Sequence, residues 1–561
     1  MDTNRTLTVT SNFTWDRVGV FEQNAGSSVT AANYVFGTSG SGYSMAVWNI
    51  YGTAGNRASV HGVGNIVAAA PTLPPVQQVN WQYVNFDITG YTAISMKNAW
   101  DSNAYSSLNI DHCYFNGTGY IDIGQYANSA NDLKITNSDF RNITSTLSGY
   151  NANLTIRTSV LSTLGNFLFD GNVFSQPTMG KVYVTSVGNN REVKNNIFKN
   201  SSLDHFYLAS VPVAQRSFKI YNNVFYADAS AGSVNGQLLD TSGGLEIYDN
   251  FFIGIPYNTH AIMFTGAYAA DLPKTIIRNN VFDMADGDAD VLNLNYVPVD
   301  ILNNIFINNG TPVNIGVSGG GGGGAPSPNS GFVNVINNTS YLKDTVANLV
   351  WAGETTQHTG GAVIIKNNLV GARYVGTSIA YKDSRSTIDT IDHIDNTWFY
   401  PDTGTALTKY QGILITGKIE GDAGFGAHDQ AGNPQFFDKT RLATTYDASL
   451  GGNGTADHLV SEMMKRNGNV FGETLTAGYN STSSLSYFKT GFTPINKSLA
   501  VSGENGSYIG AIFITSEPVA PNIGTATAGN TQATVTFTAP SSDGGKFYYW
   551  LYRYLNAIRW G

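Results

Sequence analysis

A short pattern of apolar and polar positions recurs along the middle of the chain. It consists of an apolar residue, a variable residue, two residues that are mostly Asn, an apolar residue and an aromatic one, as in Val193-Lys-Asn-Asn-Ile-Phe198. Eleven copies follow one another at spacings of 24 to 34 residues. They begin at Ile110, Ile135, Phe169, Val193, Ile220, Ile247, Ile277, Ile301, Val335, Ile365 and His393. A motif of fixed length at variable spacing predicts a repeat architecture whose turns take insertions.

Each copy is interpreted as a strand, a tight bend and a second strand. Asn tolerates the left-handed backbone conformation that such a bend requires. At the strand spacing of about 4.8 Å, stacked Asn side chains can also hydrogen-bond in a ladder. The aromatic positions then stack inside the coil at Phe115, Phe140, Phe174, Phe198, Phe225, Phe252, Phe282 and Phe306. The pattern therefore predicts an all-β chain folded as a right-handed parallel β-helix, a solenoid of about 12 coils.

Segments outside the repeat suggest the domain organisation. We expect residues 1–78 to form an N-terminal cap and irregular first coils, 79–417 the β-helix, and 418–516 a segment that closes its C-terminal end. The tail at 517–561 includes Ala533-Thr-Val-Thr-Phe-Thr-Ala-Pro540 and resembles part of a fibronectin type III module. Gly319–Gly324 is interpreted as a flexible turn insertion, because it lacks the Gly-Lys-Ser/Thr of a phosphate-binding loop.

Composition narrows the class of partner. Charged residues make up 13% of the chain, whereas 61 Gly and 12% aromatic residues favour strands and turns. A net charge of −9 without a basic stripe argues against nucleic acid and favours a polysaccharide. The single cysteine, Cys113, is expected inside the coil as an inert thiol.

No apolar run reaches the ~18 residues of a membrane span. The start lacks a signal peptide, and we expect a secreted monomer whose leader has been replaced by Met1.

The coils, the segment Val84–Gly90 and the strand Leu154–Thr158 resemble secreted β-helix proteins of polysaccharide-degrading bacteria. The architecture is similar to that of pectate lyases, alginate lyases and chondroitinase B, over roughly residues 50 to 515. This resemblance implies a polysaccharide-active protein. The repeat itself is shared by enzymes, phage tailspikes and adhesins, so it predicts the fold better than the activity.

The reaction class is inferred from the chemistry that each mechanism needs. The Asp pairs and Gly-His-Gly of polygalacturonase-like hydrolases are absent from the coil series, which disfavours hydrolysis by paired carboxylates. A lyase needs a base near the C5 proton of a uronic acid, a cation beside the carboxylate and a proton donor for the leaving oxygen. We therefore expect a lyase that cleaves an acidic polysaccharide by β-elimination in a groove along the β-helix. The alternative is a non-catalytic glycan-binding or adhesin-type protein.

Two outward lines of polar residues are candidates for this chemistry. The two-residue period of a strand predicts that the first line lies on the strand after each bend. It contains Asp122, Arg157, Tyr183, His205, Tyr207 and Asp240. Arg157 would neutralise a carboxylate, and Tyr183, His205 or Tyr207 would act as base or acid. Asp122 and Asp240 would orient these groups, bind calcium or bind substrate. An ordinary solvated stripe is the alternative.

The second line lies just before each bend. It runs through Asp111, Thr136, Asp170, Lys194, Tyr221, Tyr248 and Arg278. Tyr221 and Tyr248, flanked by Lys194 and Arg278, are predicted to form a stacking platform for an acidic sugar. In the neighbouring line Glu192, Lys219 and Glu246 alternate in sign, as cross-strand ion pairs do, so a surface ladder is the alternative interpretation.

One acidic turn is the candidate for calcium. It carries four carboxylates within eight residues, Asp283, Asp286, Asp288 and Asp290. Carboxylate oxygens are the ligands that calcium prefers, although the spacing does not match an EF-hand loop. The alternative is a solvated acidic turn. The eight His residues have no zinc-site spacing.

Overall fold

The computed structural model describes a chain built almost entirely from parallel strands. The residues that the structure describes are 1–10, 13–15, 18–31, 34–36, 45–62, 66–68, 78–88, 93–96, 107–116, 119–125, 132–143, 154–158, 166–175, 182–185, 191–199, 206–209, 218–227, 236–241, 244–254, 259–264, 274–284, 290–294, 299–307, 311–315, 333–342, 349–352, 363–372, 379–383, 393–401, 408–411, 419–423, 425–436, 489, 491–496, 498, 502–511, 522–528 and 533–538.

Three long parallel sheets, named A, B and C, account for nearly all of these strands. Sheet A comprises β1 Thr6–Thr8, β4 Ser28–Ala31, β7 Ala58–Gly62, β10 Val84–Ile88, β13 Tyr114–Asn116, β16 Asp139–Asn142, β19 Val173–Ser175, β22 Ile197–Lys199, β25 Val224–Ala227, β28 Phe251–Gly254, β31 Val281–Met284, β34 Ile305–Ile307, β37 Thr339–Leu342, β40 Leu369–Ala372, β43 Trp398–Pro401 and β45 Gln430–Ala431. Sheet B comprises β2 Phe13–Trp15, β5 Tyr34–Phe36, β8 Ile66–Ala68, β11 Ala93–Met96, β14 Tyr120–Gln125, β17 Leu154–Thr158, β20 Val182–Thr185, β23 Phe206–Ala209, β26 Gly236–Thr241, β29 Thr259–Phe264, β32 Asp290–Asn293, β35 Thr311–Ile315, β38 Val350–Ala352, β41 Ile379–Asp383 and β44 Thr408–Gln411. Sheet C comprises β3 Val18–Asn24, β6 Met45–Tyr51, β9 Gln78–Gln82, β12 Ser107–Asp111, β15 Leu133–Thr136, β18 Phe167–Asp170, β21 Arg191–Lys194, β24 Phe218–Tyr221, β27 Leu245–Tyr248, β30 Thr275–Arg278, β33 Val299–Leu302, β36 Val333–Ile336, β39 Val363–Lys366 and β42 His393–Asp395.

The order of strands confirms the all-β parallel β-helix. One coil contributes in turn a strand to sheets C, A and B, and β21, for example, pairs in parallel with β24 of the next coil. The expected number of about 12 coils was wrong, because the sheets contain 16, 15 and 14 strands. The Asn motif missed the first coils: pairing already begins between β1 and β4, where the sequence lacks the Asn-Asn pair and the aromatic residue that follows it.

The two Asn positions of each repeat have different structural roles. The first lies at the bend with a left-handed backbone, for example at Asn195 and Asn222, each with φ 55°. The second is buried and forms the predicted ladder: Asn196 donates from its backbone N–H (3.0 Å) and its Nδ2 (2.9 Å) to Oδ1 of Asn223. The ladder joins Asn172, Asn196, Asn223, Asn250, Asn280, Asn304, Asn338 and Asn368.

Gly171 replaces Asn at one bend, with φ 68°. A Cβ at this position would lie 2.7 Å from Oδ1 of Asn137. We expect Gly171→Ala to lower the free energy of unfolding by about 1–2 kcal/mol, because an L residue is strained in this conformation. Gly55→Ala is the matched control, since an added Cβ there would have no neighbour within 4 Å. Urea denaturation compares the two variants, and equal midpoints would contradict the assignment of strain.

The predicted aromatic stack lies inside the coil. The rings of Phe225 and Phe252 are 4.8 Å apart at 5°, and those of Phe282 and Phe306 are 4.9 Å apart at 7°. Cys113 is buried at the start of the same interior, and burial raises the pKa of its thiol to about 12. The expectation of an inward thiol is therefore confirmed.

Part of the outer face of sheet A is covered by the segment that follows the last coil. Ile509 packs on Leu369 and Trp398 of this sheet. Further back along the solenoid, Nζ of Lys489 lies 2.7 Å from Oδ1 of Asp249. These contacts belong to a unit that spans Met1–Ala511. In the second unit, Ile512–Gly561, β46 Asn522–Ala528 and β47 Ala533–Thr538 form an antiparallel pair.

Candidate functional site

The predicted line before each bend is one register column on the outside of sheet C. Lys194, Tyr221, Tyr248 and Arg278 are paired in successive strands. Their strands alternate buried and half-buried positions, with Val193, Ile220, Ile247 and Ile277 directed into the core. The four polar side chains therefore project from the opposite face, as the two-residue period predicted.

These four side chains form one continuous stack, called here the cation–tyrosine stack. The rings of Tyr221 and Tyr248 are parallel, with centroids 4.8 Å apart and 4° between the planes. Arg278 Cζ lies 4.1 Å from the centroid of Tyr248, and Lys194 Nζ lies 5.7 Å from that of Tyr221. Cation–π attraction adds to the ring stacking at both ends.

This geometry changes the expected mode of sugar binding. Because the coils stack along the helix axis, each tyrosine has one ring face against the other tyrosine and its second face beneath a cation. A sugar placed on the column would meet ring edges, hydroxyl groups and cations. In place of the predicted stacking platform for a sugar, the column is therefore a polar ridge whose ring faces are covered.

Carboxylates accompany the cations of the stack. Nζ of Lys194 lies 2.8 Å from Oε2 of Glu192, and the hydroxyl of Tyr221 donates to the same oxygen at 3.3 Å. Among the described residues, the carboxylate oxygen nearest to Arg278 belongs to Glu246, at 3.8 Å. Glu192, Lys219 and Glu246 are register partners, so the alternating ladder predicted beside the column is present.

The protonation of the stack favours binding over proton abstraction. Burial, followed by the charge of Tyr221, raises the pKa of Tyr248 to about 12. Burial also raises the pKa of Tyr221. For Lys194, burial acts to lower the pKa, but hydrogen bonds to Glu192 and Tyr221 outweigh it and the pKa is raised. At neutral pH both tyrosines keep their protons and Lys194 is charged, so the stack offers donors.

The other predicted line lies on sheet B. Asp122 pairs with Thr155, which is followed along the same column by Tyr183, Tyr207 and Asp240. Arg157 is not in this column: it pairs with Gly124 and Thr185, two positions further along the strands. Asp122 is only 4% exposed, whereas Tyr183 is half-buried. The side chains of Arg157, Tyr207 and Asp240, and the whole of His205, lie outside the described residues.

The acidic turn proposed for calcium is only partly described. Asp283 lies in β31 of sheet A, where it is buried, and Asp290 begins β32 of sheet B. Asp286 and Asp288 lie outside the described residues. Within the described part of the chain, no group of three or more His, Cys, Asp or Glu side chains is placed to hold a metal ion. The calcium site stays a prediction.

A second polar cluster was missed by sequence reasoning. Asp395 ends β42 in the same sheet C column as the cation–tyrosine stack, and its Oδ2 lies 2.8 Å from Nδ1 of His428. Lys366, the register partner of Asp395, forms an ion pair with Glu504. Lys366 and Asp395 lie in the last two copies of the motif, whereas His428 and Glu504 come from the closing segment, where no repeat indicates which residues meet.

Comparison of the chain with protein-family models, with curated proteins and with solved structures found no match. Within the residues that the structure describes, no helix has the length and apolar character needed to span a membrane.

Proposed function

We propose that this protein binds an acidic polysaccharide along the outer face of sheet C, through the cation–tyrosine stack. A solenoid presents one side chain per coil at a spacing of about 4.8 Å, which suits a linear polymer with repeating groups. Lys194 and Arg278 would contact carboxylate or sulfate groups, and the hydroxyls of Tyr221 and Tyr248 would bond to sugar oxygens.

The position of the Arg278 guanidinium is the observation that most strongly supports this proposal. Its guanidinium is held against Tyr248, and its side chain is 36% exposed. Among the described residues it makes no side-chain hydrogen bond, and the closest carboxylate oxygen, on Glu246, is 3.8 Å away. A guanidinium whose N–H groups make no hydrogen bond to the described residues is suited to bind a carboxylate with two hydrogen bonds.

The test is calorimetric titration with polygalacturonate, alginate and chondroitin sulfate, with a neutral glucan as reference. We expect at least one acidic polymer to bind, with an affinity that falls as salt is raised. Arg278→Ala should weaken binding about 10- to 100-fold, because charged hydrogen bonds are lost. Arg278→Lys should be intermediate, since it keeps the charge without the fork.

Lys134→Ala provides the matched control. Lys134 is also a partly exposed cation on sheet C, paired with Asp132 at 2.9 Å, but it lies outside the stack. The Lys134→Ala variant should bind the acidic polymer with the affinity of the unmodified protein. The proposal is wrong if no acidic polymer binds, or if Arg278→Ala and Lys134→Ala bind alike.

A second candidate function is β-elimination on the outer face of sheet B. The register that places Tyr183 beside Tyr207, with Arg157 on the preceding strand, favours it. A tyrosine or His205 would take the C5 proton while Arg157 stabilises the carboxylate. Absorbance near 235 nm reports the unsaturated product, and Arg157→Ala or His205→Ala should abolish it. If a polymer binds without any such product, binding remains the function.

Several further properties belong to the same proposal. We expect the protein to act as a monomer outside the cell, where its polysaccharide would be found. The fibronectin-like tail would suit an adhesive role. Calcium at Asp283, Asp286, Asp288 and Asp290 would make binding or cleavage sensitive to a chelator.

A further inference from the structure

Asp395 holds His428 by two contacts at the C-terminal end of sheet C. Its Oδ2 lies 2.8 Å from Nδ1 of the imidazole, and its Oδ1 accepts the backbone N–H of His428 at 2.8 Å. The same Oδ1 accepts the backbone N–H of Asn396 at 2.9 Å. The carboxylate is almost fully buried, with 2% of the side chain exposed, whereas the imidazole is 65% exposed. The ring is therefore held by Asp395 at Nδ1, while much of its remaining surface is exposed to solvent.

This arrangement determines the chemical state of the imidazole. Burial acts to raise the pKa of Asp395, but the hydrogen bonds from His428 and the backbone outweigh it and the pKa is lowered. An ionised carboxylate accepts a proton from Nδ1, so the neutral imidazole presents Nε2 as its acceptor. Among the described residues, Nε2 of His428 has no hydrogen-bond partner. Asp395, Asp429 and Glu504 all raise the pKa of His428, Asp395 most strongly.

The strand next to Asp395 carries a cation that is ion-paired with Glu504. Lys366 precedes Asp395 by one coil in the same register column, and its Nζ bonds to Oε2 of Glu504. Glu504 is itself fixed, since its backbone N–H donates to Oδ1 of Asn367 at 2.9 Å. The buried carboxylate and the oriented imidazole are thus in contact, and Lys366 is the register partner of Asp395 on the neighbouring strand.

The column that links the two polar sites is apolar. Between Arg278 and Lys366 it contains Leu302 and Ile336, both half-buried on the solvent-facing side of sheet C. Aliphatic side chains at these positions offer no partner to the charged groups of an unsubstituted uronic acid chain. They would pack against a small acyl substituent. The column therefore offers, in order, a cation, two aliphatic side chains, a second cation and the aspartate that holds His428.

We propose that Asp395 and His428 form a hydrolytic site that removes acyl esters from the acidic glycan bound along this column. The identity of the substrate rests on the proposed function, whereas the ester chemistry rests on the Asp395–His428 pair itself. His428 and Lys366 are the catalytic residues, and Asp395 is a positioning residue.

The reaction requires water as its only co-reactant. Nε2 of His428 takes a proton from water as the water oxygen forms a bond to the ester carbon, and the carbonyl π electrons move to the oxygen. The ammonium of Lys366 stabilises the resulting oxyanion. When the oxyanion collapses, the bond between the ester carbon and the sugar oxygen breaks. The imidazolium then returns its proton to that oxygen, which leaves a carboxylic acid and a free sugar hydroxyl.

Two substrates separate the chemistry from glycan binding. One is O-acetylated polygalacturonate, followed by release of acetate, and the other is p-nitrophenyl acetate, followed by absorbance of nitrophenolate. We expect His428→Gln to slow both reactions at least about 100-fold, as loss of a general base does. His61→Gln is the matched control, because His61 is also partly exposed beside a carboxylate, with Nδ1 3.5 Å from Asp87. It should leave both rates unchanged.

The role of Asp395 requires a pH profile. In Asp395→Asn the rate should fall, and the acidic limb of the profile should move to lower pH, because the carboxylate no longer raises the pKa of His428. A residue that only supports the fold would change the rate without moving that limb. Circular dichroism of each variant shows whether it is folded, and His428→Gln is expected to fold because its side chain projects into solvent.

The outcomes distinguish the two proposals. Arg278→Ala should slow acetate release from the polymer while leaving hydrolysis of p-nitrophenyl acetate unchanged. If hydrolysis of p-nitrophenyl acetate depends on His428 but no acidic polymer binds, the Asp395–His428 site is supported and the proposed function is refuted. Polymer binding with neither ester cleaved above the rate in buffer, or with His428→Gln as active as the unmodified protein, would overturn the hydrolytic site alone.

Discussion

Replacing Asn223 by leucine is expected to lower the free energy of unfolding by about 4 kcal/mol or more. Nδ2 of Asn223 donates to the carbonyl of Val193 at 2.8 Å and to Oδ1 of Asn250 at 3.0 Å. Its Oδ1 accepts from the backbone N–H and the Nδ2 of Asn196, at 3.0 and 2.9 Å. Leucine fills a similar volume but removes these four hydrogen bonds from the buried ladder, and a buried group that loses its partner costs about 1–3 kcal/mol.

The adjacent residue supplies the control. Asn222 is half-buried, takes the left-handed conformation with φ 55° and has no place in the buried ladder. Asn222→Gly should change the stability by less than about 1 kcal/mol, because glycine adopts this conformation without strain. Midpoints of urea denaturation test the pair. If the two variants lose equal stability, the ladder does not have the energetic role assigned to it.

The ladder and the internal stack could be predicted because they obey the repeat. In a parallel solenoid a residue faces the same residue of the next motif, so aligning the copies fixes the neighbours of Asn223 and Phe252 in three dimensions. The same argument placed Lys194 and Arg278 in one column. The number of coils was wrong because the first coils are built without the motif, so that alignment could not detect them.

The geometry of the candidate site was only partly predictable. Register determines that Tyr221 and Tyr248 are neighbours, but side-chain rotamers determine whether their ring faces are open or covered. A neighbouring tyrosine and a cation cover those faces, which a one-dimensional pattern does not indicate. On sheet B, Arg157 lies two positions away from the predicted line of residues. The reason is that the number of residues between the bend and the next strand differs from coil to coil.

The Asp395–His428 pair lay beyond sequence reasoning for a different reason. The two residues are 33 positions apart, and the ion pair of Lys366 with Glu504 spans 138. His428 and Glu504 follow the last copy of the motif, so no aligned position predicts their neighbours. Their juxtaposition depends on how the closing segment folds back on the last coils.

The second large effect is expected at Phe252, and a comparison with Tyr248 isolates its cause. Both rings belong to parallel stacks of nearly the same geometry: Phe252 lies 4.8 Å from Phe225 at 5°, and Tyr248 lies 4.8 Å from Tyr221 at 4°. Phe252 is fully buried, whereas Tyr248 is half-buried on the outer face. Their alanine variants therefore compare a buried ring with a half-buried ring at nearly the same stacking distance and angle.

Phe252→Ala should lower the free energy of unfolding by about 3–5 kcal/mol, because it removes a buried ring and leaves a cavity between Phe225 and Phe282. Tyr248→Ala should cost only about 1 kcal/mol, since it loses ring stacking and partial burial. Phe252→Leu should fall between them, because leucine fills part of the cavity. Urea denaturation of the three variants measures the order. Equal losses in the two alanine variants would indicate that stacking, rather than burial of the aromatic column, stabilises the solenoid.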